Sequence, residues 1–242
     1  MQQFFVLEPI EQNKEIKLNG DIAYQCIHVL RYQNGKQIKC VDLNGNVGVC
    51  SIRIENEDVF AFVNEIIEND SEMQIKVTLI QALIRKERWE FLLQKATELG
   101  VYRIIPIELK RNVVKWEKNE SKNKMERYQK IMQEAAEQSR RTFVPKLEPI
   151  IKLSEINQYK SEINLVAYEN EKDRPLRDYI KPNQSVTIIC GPEGGFDDRE
   201  VEYLIKNGFV SVSLGKRILR AETAGLYILS GIDFMFEGNN ND

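Results

Sequence analysis

One histidine, His28, stands in 242 residues. A site needing two imidazoles cannot be built from a single copy of this chain, which excludes zincin-type and His-rich metal centres. The four cysteines, Cys26, Cys40, Cys50 and Cys190, show no Cys-x-x-Cys spacing. Zinc ribbons and thioredoxin-like redox sites go with it. Four thiols are no disulfide framework, so a reduced, cytoplasmic setting is expected. No apolar run approaches the roughly 20 residues of a membrane span. The opening Met1-Gln2-Gln3-Phe4-Phe5-Val6 lacks the basic and apolar regions of a secretory signal. Two phosphate-binding fingerprints, G-x-G-x-x-G and G-x-x-x-x-G-K-[ST], are also missing.

Charge is present and unevenly spread. Lys and Arg number 34 against 37 Asp and Glu, a formal charge of −3. Residues 1–70 carry 6 basic and 11 acidic side chains, and the remainder carries 28 and 26. Within the remainder, residues 110–146 hold 11 basic and 5 acidic side chains, interleaved with Trp116, Tyr128 and Phe143. A local basic, aromatic-bearing stretch in an acidic chain points to a polyanion, because phosphate neutralisation drives such binding. A solvated helix face with i,i+4 ion pairs is the competing explanation.

The pattern changes near residue 70. Before it, short β-branched or alternating runs at 4–7, 37–41, 47–54 and 59–67 are separated by Asn-Gly and Glu-Asn turns, which predicts a small β-rich domain over 1–70. A helix over 21–31 would turn Ile22, Cys26, Ile27 and Leu30 to one face. The polar stretch 65–72 is the linker candidate. After it, strands at 75–83, 103–107, 164–168, 186–190 and 209–214 alternate with helices at 86–99, 121–141, 197–207 and 221–236. Such alternation predicts an α/β domain over 71–242 with a helix-covered parallel sheet. Asp197 with Glu200 reads as a capping box, and Gly100 as a helix-ending glycine. The tail 238–242 should fray.

Two strand ends open into glycine-bearing turns: Gly191-Pro192-Glu193-Gly194-Gly195-Phe196, and Leu214-Gly215-Lys216-Arg217-Ile218-Leu219-Arg220-Ala221-Glu222-Thr223-Ala224. Open α/β sheets bind ligands outside the carboxyl ends of their strands. Gly194 and Gly195 would allow close backbone approach to a ligand and a positive φ. Pro192 removes a backbone donor, which suits a cosubstrate without a pyrophosphate. Ordinary strand-to-helix turn chemistry is the plainer alternative for each loop.

The pair of loops resembles the signature of the RsmE family. Three further segments agree in order and spacing: Lys95-Ala96-Thr97-Glu98-Leu99-Gly100-Val101, Glu134-Ala135-Ala136-Glu137-Gln138-Ser139-Arg140-Arg141, and His28-Val29-Leu30-Arg31. The resemblance implies a SPOUT-class methyltransferase that uses S-adenosylmethionine to methylate N3 of a uridine in 16S ribosomal RNA. It implies a PUA-like β-barrel at the N-terminus, a trefoil knot in the C-terminal domain, and a homodimer. It places the cosubstrate at Tyr168, Glu169, Gly191, Gly194, Gly195, Leu214, Gly215, Ile218, Leu219, Arg220, Glu222 and Thr223. General topology alone would predict no knot. Gln2 and Gln3 stand where members commonly carry an arginine before the first Phe, and Arg31 is a candidate replacement.

Methyl transfer from a sulfonium requires alignment of the acceptor and exclusion of water. Uridine N3 attacks as its proton leaves, so a base, or a cation that stabilises the uracil anion, is needed. Arg141 is the leading candidate for the electrostatic role, sharing a helix face with Gln138 and able to hold a carbonyl bidentately. A backbone-phosphate contact is the simpler role for it. Glu193 is the candidate base, whereas Glu222 suits a structural place near a helix N-terminus. Lys95 and Glu98 are explained as cheaply by a helical ion pair. Arg31, Arg111, Lys115, Arg127, Gln138 and Arg140 are the expected RNA contacts, and no metal is expected. Two other classes stay open: a non-catalytic rRNA-binding or ribosome-assembly protein on the same fold, and a Rossmann-type nucleotide enzyme.

Overall fold

The structure is a computed structural model that describes residues 1–116 and 121–236, and of Ser121 and Lys122 the backbone only. Residues 117–120 of the basic stretch and the tail 238–242 lie outside the described residues. The chain divides into two units, Met1–Glu72 with Ala136–Val144, and Met73–Ala135 with Pro145–Asp242.

The first unit is built from runs whose alternate residues are apolar. Strands β1 (Gln3–Phe5), β2 (Glu15–Lys17), β3 (Gln37–Val41), β4 (Val47–Glu55) and β5 (Asp58–Ile67) form one sheet in the order β1-β3-β4-β5-β2. Only β1 and β3 run parallel. Val59, Ala61 and Val63 of β5 point inward against Ile38, Cys40, Cys50 and Ile52. The strand β2 has three residues and no pattern of its own, and the sequence reading misses it. The expected linker is shorter than its polar composition suggests, because 65–67 belong to β5.

The expected helix over 21–31 divides in two. Asn19 caps α1 (Gly20–Tyr24), its side chain accepting from the Ile22 N–H at 2.9 Å. A π-helical turn, Gln25–Val29, continues it. Ile22 and Cys26 are buried, and Ile27 and Leu30 pack against the same core. Arg31 then takes φ +52°.

Segment 136–144 completes this unit. Gln3 Nε2 donates to the Arg141 carbonyl at 2.7 Å, and the Phe5 N–H to Glu137 at 3.5 Å. Helix α3 (Ser121–Gln138) stops three residues short of expectation. Arg140, at φ +61°, turns the chain out of it. Gln138 and Arg141 therefore do not share a helix face.

The second unit holds a parallel sheet. Its strands are β6 (Val77–Ala82), β7 (Arg103–Glu108), β8 (Lys146–Leu147), β9 (Ile151–Lys152), β10 (Ile163–Ala167), β11 (Val186–Cys190) and β12 (Val210–Val212). The order is β12-β10-β11-β6-β7-β8, with β9 also on β7, and every pair is parallel. Every residue of β6 and β11 is buried, as strands covered on both faces require. Leu79 and Ile188 face one side, with Trp89, Leu92, Leu93 and Ala96 of α2 (Lys86–Glu98) and Ile228, Leu229 and Ile232 of α5 (Ala221–Phe236). Ile80 and Ile189 face the other, with Val201 and Leu204 of α4 (Asp198–Lys206). Gly100 ends α2 at φ +83°. The capping box forms as spaced: Asp197 accepts from the Arg199 N–H, and Glu200 from the Asp197 N–H at 3.1 Å. Among the described residues no helix is long and apolar enough to cross a membrane.

Candidate active site

Three strand ends meet at one cleft. β10, β11 and β12 are neighbours in the sheet or paired through β10, so the loops leaving their carboxyl ends converge. They enclose a cleft of about 440 Å³. Ala167, Tyr168 and Glu169 line it from the first loop, and Cys190 through Gly195 from the second. Ser213, Leu214, Gly215, Arg217, Ile218, Leu219, Arg220, Ala221 and Ala224 line it from the third.

Of the residues expected to hold a cosubstrate, Tyr168, Glu169, Gly191, Gly194, Gly195, Leu214, Gly215, Ile218, Leu219 and Arg220 line this cleft, as does Glu193. Glu222 and Thr223 do not. Glu222 is buried in the first turn of α5, and its Oε2 has no hydrogen-bond partner among the described residues. Ser213, Ala224 and Arg88 line the cleft without having been expected there.

Arg88 matters most among these. Its Nη1 donates to Glu193 Oε1 at 2.5 Å, and its Nε lies 3.7 Å from Glu222 Oε1. One guanidinium on α2 thus ties the second loop to the start of α5. No local spacing singles Arg88 out, because it is one of several charged residues on the polar side of an amphipathic helix. Its role follows only from where β6 delivers α2.

The glycines stand where expected, and their small size also serves the packing of the loops. A Cβ at Gly195 would lie 2.2 Å from Glu169 Oε1, and its φ is +70°. A Cβ at Gly194 would meet the Arg111 carbonyl oxygen at 3.1 Å, and one at Gly191 the Phe196 ring at 2.8 Å. These glycines permit close approaches within the protein itself. All three also line the cleft, and Gly195 uses the expected positive φ.

Polar bonds brace the same loops. The Tyr168 phenol donates to Asp198 at 2.9 Å and accepts from the Asn170 amide at 2.9 Å. The Asn170 bond pulls the phenol's pKa down, but burial and the Asp198 carboxylate outweigh it and the value is raised. Tyr168 therefore remains a neutral donor. Lys110 Nζ donates to Asp197 at 2.7 Å, and the Lys110 N–H to Glu200 at 2.7 Å. The Lys110 ammonium holds Asp197 below the usual carboxylate range, against burial and with help from the Arg199 N–H. The loop 168–176 is laced to the exit of β12: the Ser213 N–H donates to the Arg174 carbonyl at 2.7 Å, and the Leu176 N–H to the Ser213 carbonyl at 3.1 Å. Burial pushes the Cys190 thiol up to about 12, which makes it a poor nucleophile. Among the described residues no group of three His, Cys, Asp or Glu is placed to hold a metal.

The remaining candidates lie elsewhere. Arg141 belongs to the first unit and does not line the cleft. Its guanidinium is 2% exposed, donates to Glu72 Oε2 at 2.6 Å and 3.1 Å, and stacks 4.6 Å from the Phe143 ring centre. A group so enclosed cannot grip a uracil carbonyl without breaking its ion pair, which corrects the expected electrostatic role. Gln138, Arg140 and Arg31 are exposed in the first unit, and Arg111, Lys115 and Arg127 in the second. Arg127 pairs with Glu90 at 3.0 Å. Trp116 and Tyr128 are not free to stack on bases, since they pack edge-on against the buried Trp89 at 5.4 Å and 6.5 Å. The Lys95–Glu98 pair forms at 2.8 Å.

Known proteins share this arrangement. Residues 71–233 match the family model described as an RNA methyltransferase domain. Ribosomal RNA small subunit methyltransferase E of Bacillus subtilis is 33% identical, covering 98% of both chains. Its namesake in Mesomycoplasma hyopneumoniae is 36% identical, covering 95% of this chain and 98% of its own. The crystal structure of the Neisseria gonorrhoeae enzyme of that name, bound to S-adenosyl methionine, superposes with a TM-score of 0.89 at 30% identity, covering 97% of this chain and 98% of its own. Matches that run nearly end to end, through both units and all three cleft loops, place this chain in the ribosomal RNA small subunit methyltransferase E family.

Proposed function

We propose that this protein methylates N3 of a uridine in 16S ribosomal RNA, with S-adenosylmethionine as methyl donor. The observation that carries the reading is the three-loop cleft at the carboxyl ends of β10, β11 and β12. Its volume falls within the roughly 300–1,000 Å³ of small-molecule sites. Its lining suits a cationic nucleoside: apolar Leu214, Ile218 and Leu219 beside the carboxylates of Glu169 and Glu193. The sulfonium supplies an already activated methyl group.

The chain's own work is placement and proton handling. Arg88 holds the Glu193 carboxylate at the cleft, and Glu193 accepts the N3 proton. Charge then spreads to the uracil oxygens and is met by Arg217 and Arg220, the third-loop cations that line the cleft. Arg111, Lys115 and Arg127 bind phosphates around the target, which must be unstacked to reach the cleft. The first unit serves as a PUA-like barrel for flanking RNA, on the support of its five-stranded sheet. The lacing of loop 168–176 to the exit of β12 supports a trefoil knot of the SPOUT class. A homodimer is supported by the exposed apolar Ile218 (82%), Tyr227 (46%) and Phe234 (80%) along the third loop and α5. Free, buried thiols fit the cytoplasm.

The test is mass mapping of uridines in small-subunit RNA after incubation with protein and labelled S-adenosylmethionine. The substrate is small subunits from a strain lacking the gene. Label at a single uridine N3 is expected. Cosubstrate binding without label in any uridine would refute the reading in favour of a non-catalytic RNA-binding role.

A further inference from the structure

Half of the cations within residues 1–70 are already neutralised. Residues 1–70 contain six Lys and Arg side chains. Lys14 pairs with Glu11, Lys17 with Asp58, and Arg53 with Glu15 and Glu55. The other three, Arg31, Lys36 and Lys39, have no carboxylate in ion-pair range among the described residues. Within residues 1–70 the unpaired positive charge thus lies in one short segment, 31–39.

Aromatic rings share that segment. Tyr24 and His28 touch at 4.7 Å between ring centres, tilted by 39°. Tyr24 is 63% exposed, Val29 beside the pair is 62% exposed, and His28 is exposed too. The same turn sends Ile22, Ala23 and Cys26 into the core, so the core makes no use of either ring. Lys36 Nζ lies 5.5 Å from the Tyr32 ring centre. The backbone here is also unusual: a π-helical turn at Gln25–Val29 is followed by exposed Arg31 at φ +52°. Both are costly local choices of the kind that cluster at functional sites.

We propose that the Tyr24–His28 pair is a stacking platform for one unpaired nucleotide of the RNA substrate, with Arg31 and Lys36 meeting its phosphates. The proposal rests on the RNA-methylation reading and assigns a recognition site to the first unit. Every base has a π-face, so such a platform holds a nucleotide with little regard to sequence. The acidic neighbour on α1, exposed Asp21, lies one turn before Tyr24. It disfavours phosphate there and directs the backbone toward Arg31.

The full-length protein tests this with three variants, Tyr24→Ala, Tyr24→Phe and His28→Ala. Anisotropy gives the Kd for a fluorescein-labelled single-stranded rRNA fragment. Methylation of small subunits gives KM and kcat, and calorimetry gives the cosubstrate Kd. Losing one stacked base weakens binding about ten-fold or more. Tyr24→Ala should therefore raise RNA Kd and KM about ten-fold, leave kcat and cosubstrate Kd within about two-fold, and be rescued by Tyr24→Phe. His28→Ala should move the same quantities in the same direction. An active wild type, with Tyr24→Ala and His28→Ala at wild-type KM, overturns the platform alone. A wild type that binds no RNA overturns the methylation reading and the platform together.

Discussion

Removing the Glu72 carboxylate should loosen the first unit and leave the second intact. Arg141 is 2% exposed and donates to Glu72 through both Nε and Nη2, at 3.1 Å and 2.6 Å. The other Glu72 oxygen accepts from the Thr142 N–H at 2.7 Å. Breaking a buried pair from one side typically costs about 3–5 kcal/mol, because a charge is left buried without a partner. Glu72 is 26% exposed, so water reaches the vacated side, and Glu72→Gln should cost nearer about 3 kcal/mol. Arg141→Met strands a carboxylate that can rehydrate, and should cost about 2 kcal/mol. The double variant strands neither charge, so the cycle should show at least about 1.5 kcal/mol of coupling. A chain with two units need not unfold in one step. The measurement is therefore hydrogen exchange read by mass spectrometry on peptides from 1–72 and 136–144, with peptides from 145–236 as the internal control. A coupling below about 0.5 kcal/mol would refute the clamp. So would an Arg141→Met protein of wild-type stability and no turnover, which would return Arg141 to the chemistry.

Arg88→Met should weaken S-adenosylmethionine binding about ten-fold, since a charge-assisted bond of about 1.5–3 kcal/mol no longer holds Glu193. An unchanged calorimetric Kd would show that the second loop needs no clamp. Arg140→Gly should raise stability by about 0.5–1 kcal/mol, because left-handed backbone costs a side-chain-bearing residue about 1–2 kcal/mol and glycine repays only part of that in entropy; thermal unfolding reads it. Burial pushes the Asp42 pKa up, but the Ile10, Asn44 and Asn46 N–H groups and the Asn46 amide outweigh it, and the value is lowered. A depressed carboxyl stabilises above its unfolded value of about 3.9 and loses that contribution as pH falls through its native value. Exchange in 1–72 should accelerate below about pH 4, and Asp42→Asn should flatten that acid limb.

Regular elements were legible because their patterns are local. Residues 186–190 and 221–236 have the bounds expected, as one is a wholly buried strand and the other a long apolar helix. The Asp197–Glu200 box declared the start of α4 by spacing alone. β2, β8 and β9, of three, two and two residues, are too short to carry a period. α3 was read too long because its stop is an arginine in the left-handed region, where glycine or asparagine is the usual signal. Most of the cleft's lining was legible through its loops. Arg88 was missed because its partners, Glu193 and Glu222, lie more than 100 residues away. Trp116, Tyr128 and Phe143 looked like base-stacking rings because composition cannot tell which way a ring points.

The return of 136–144 to the first unit has a consequence for biosynthesis. A ribosome makes the chain from its N-terminus, and a unit folds when its last member has emerged. Five strands are available once residue 67 is out, yet Glu72 and Gln3 wait for Arg141. By then β6, β7 and α2 of the second unit have also appeared. The two units thus mature in overlapping intervals, and a gene fragment cut at residue 72 would encode a sheet whose carboxylate has no cation to close on.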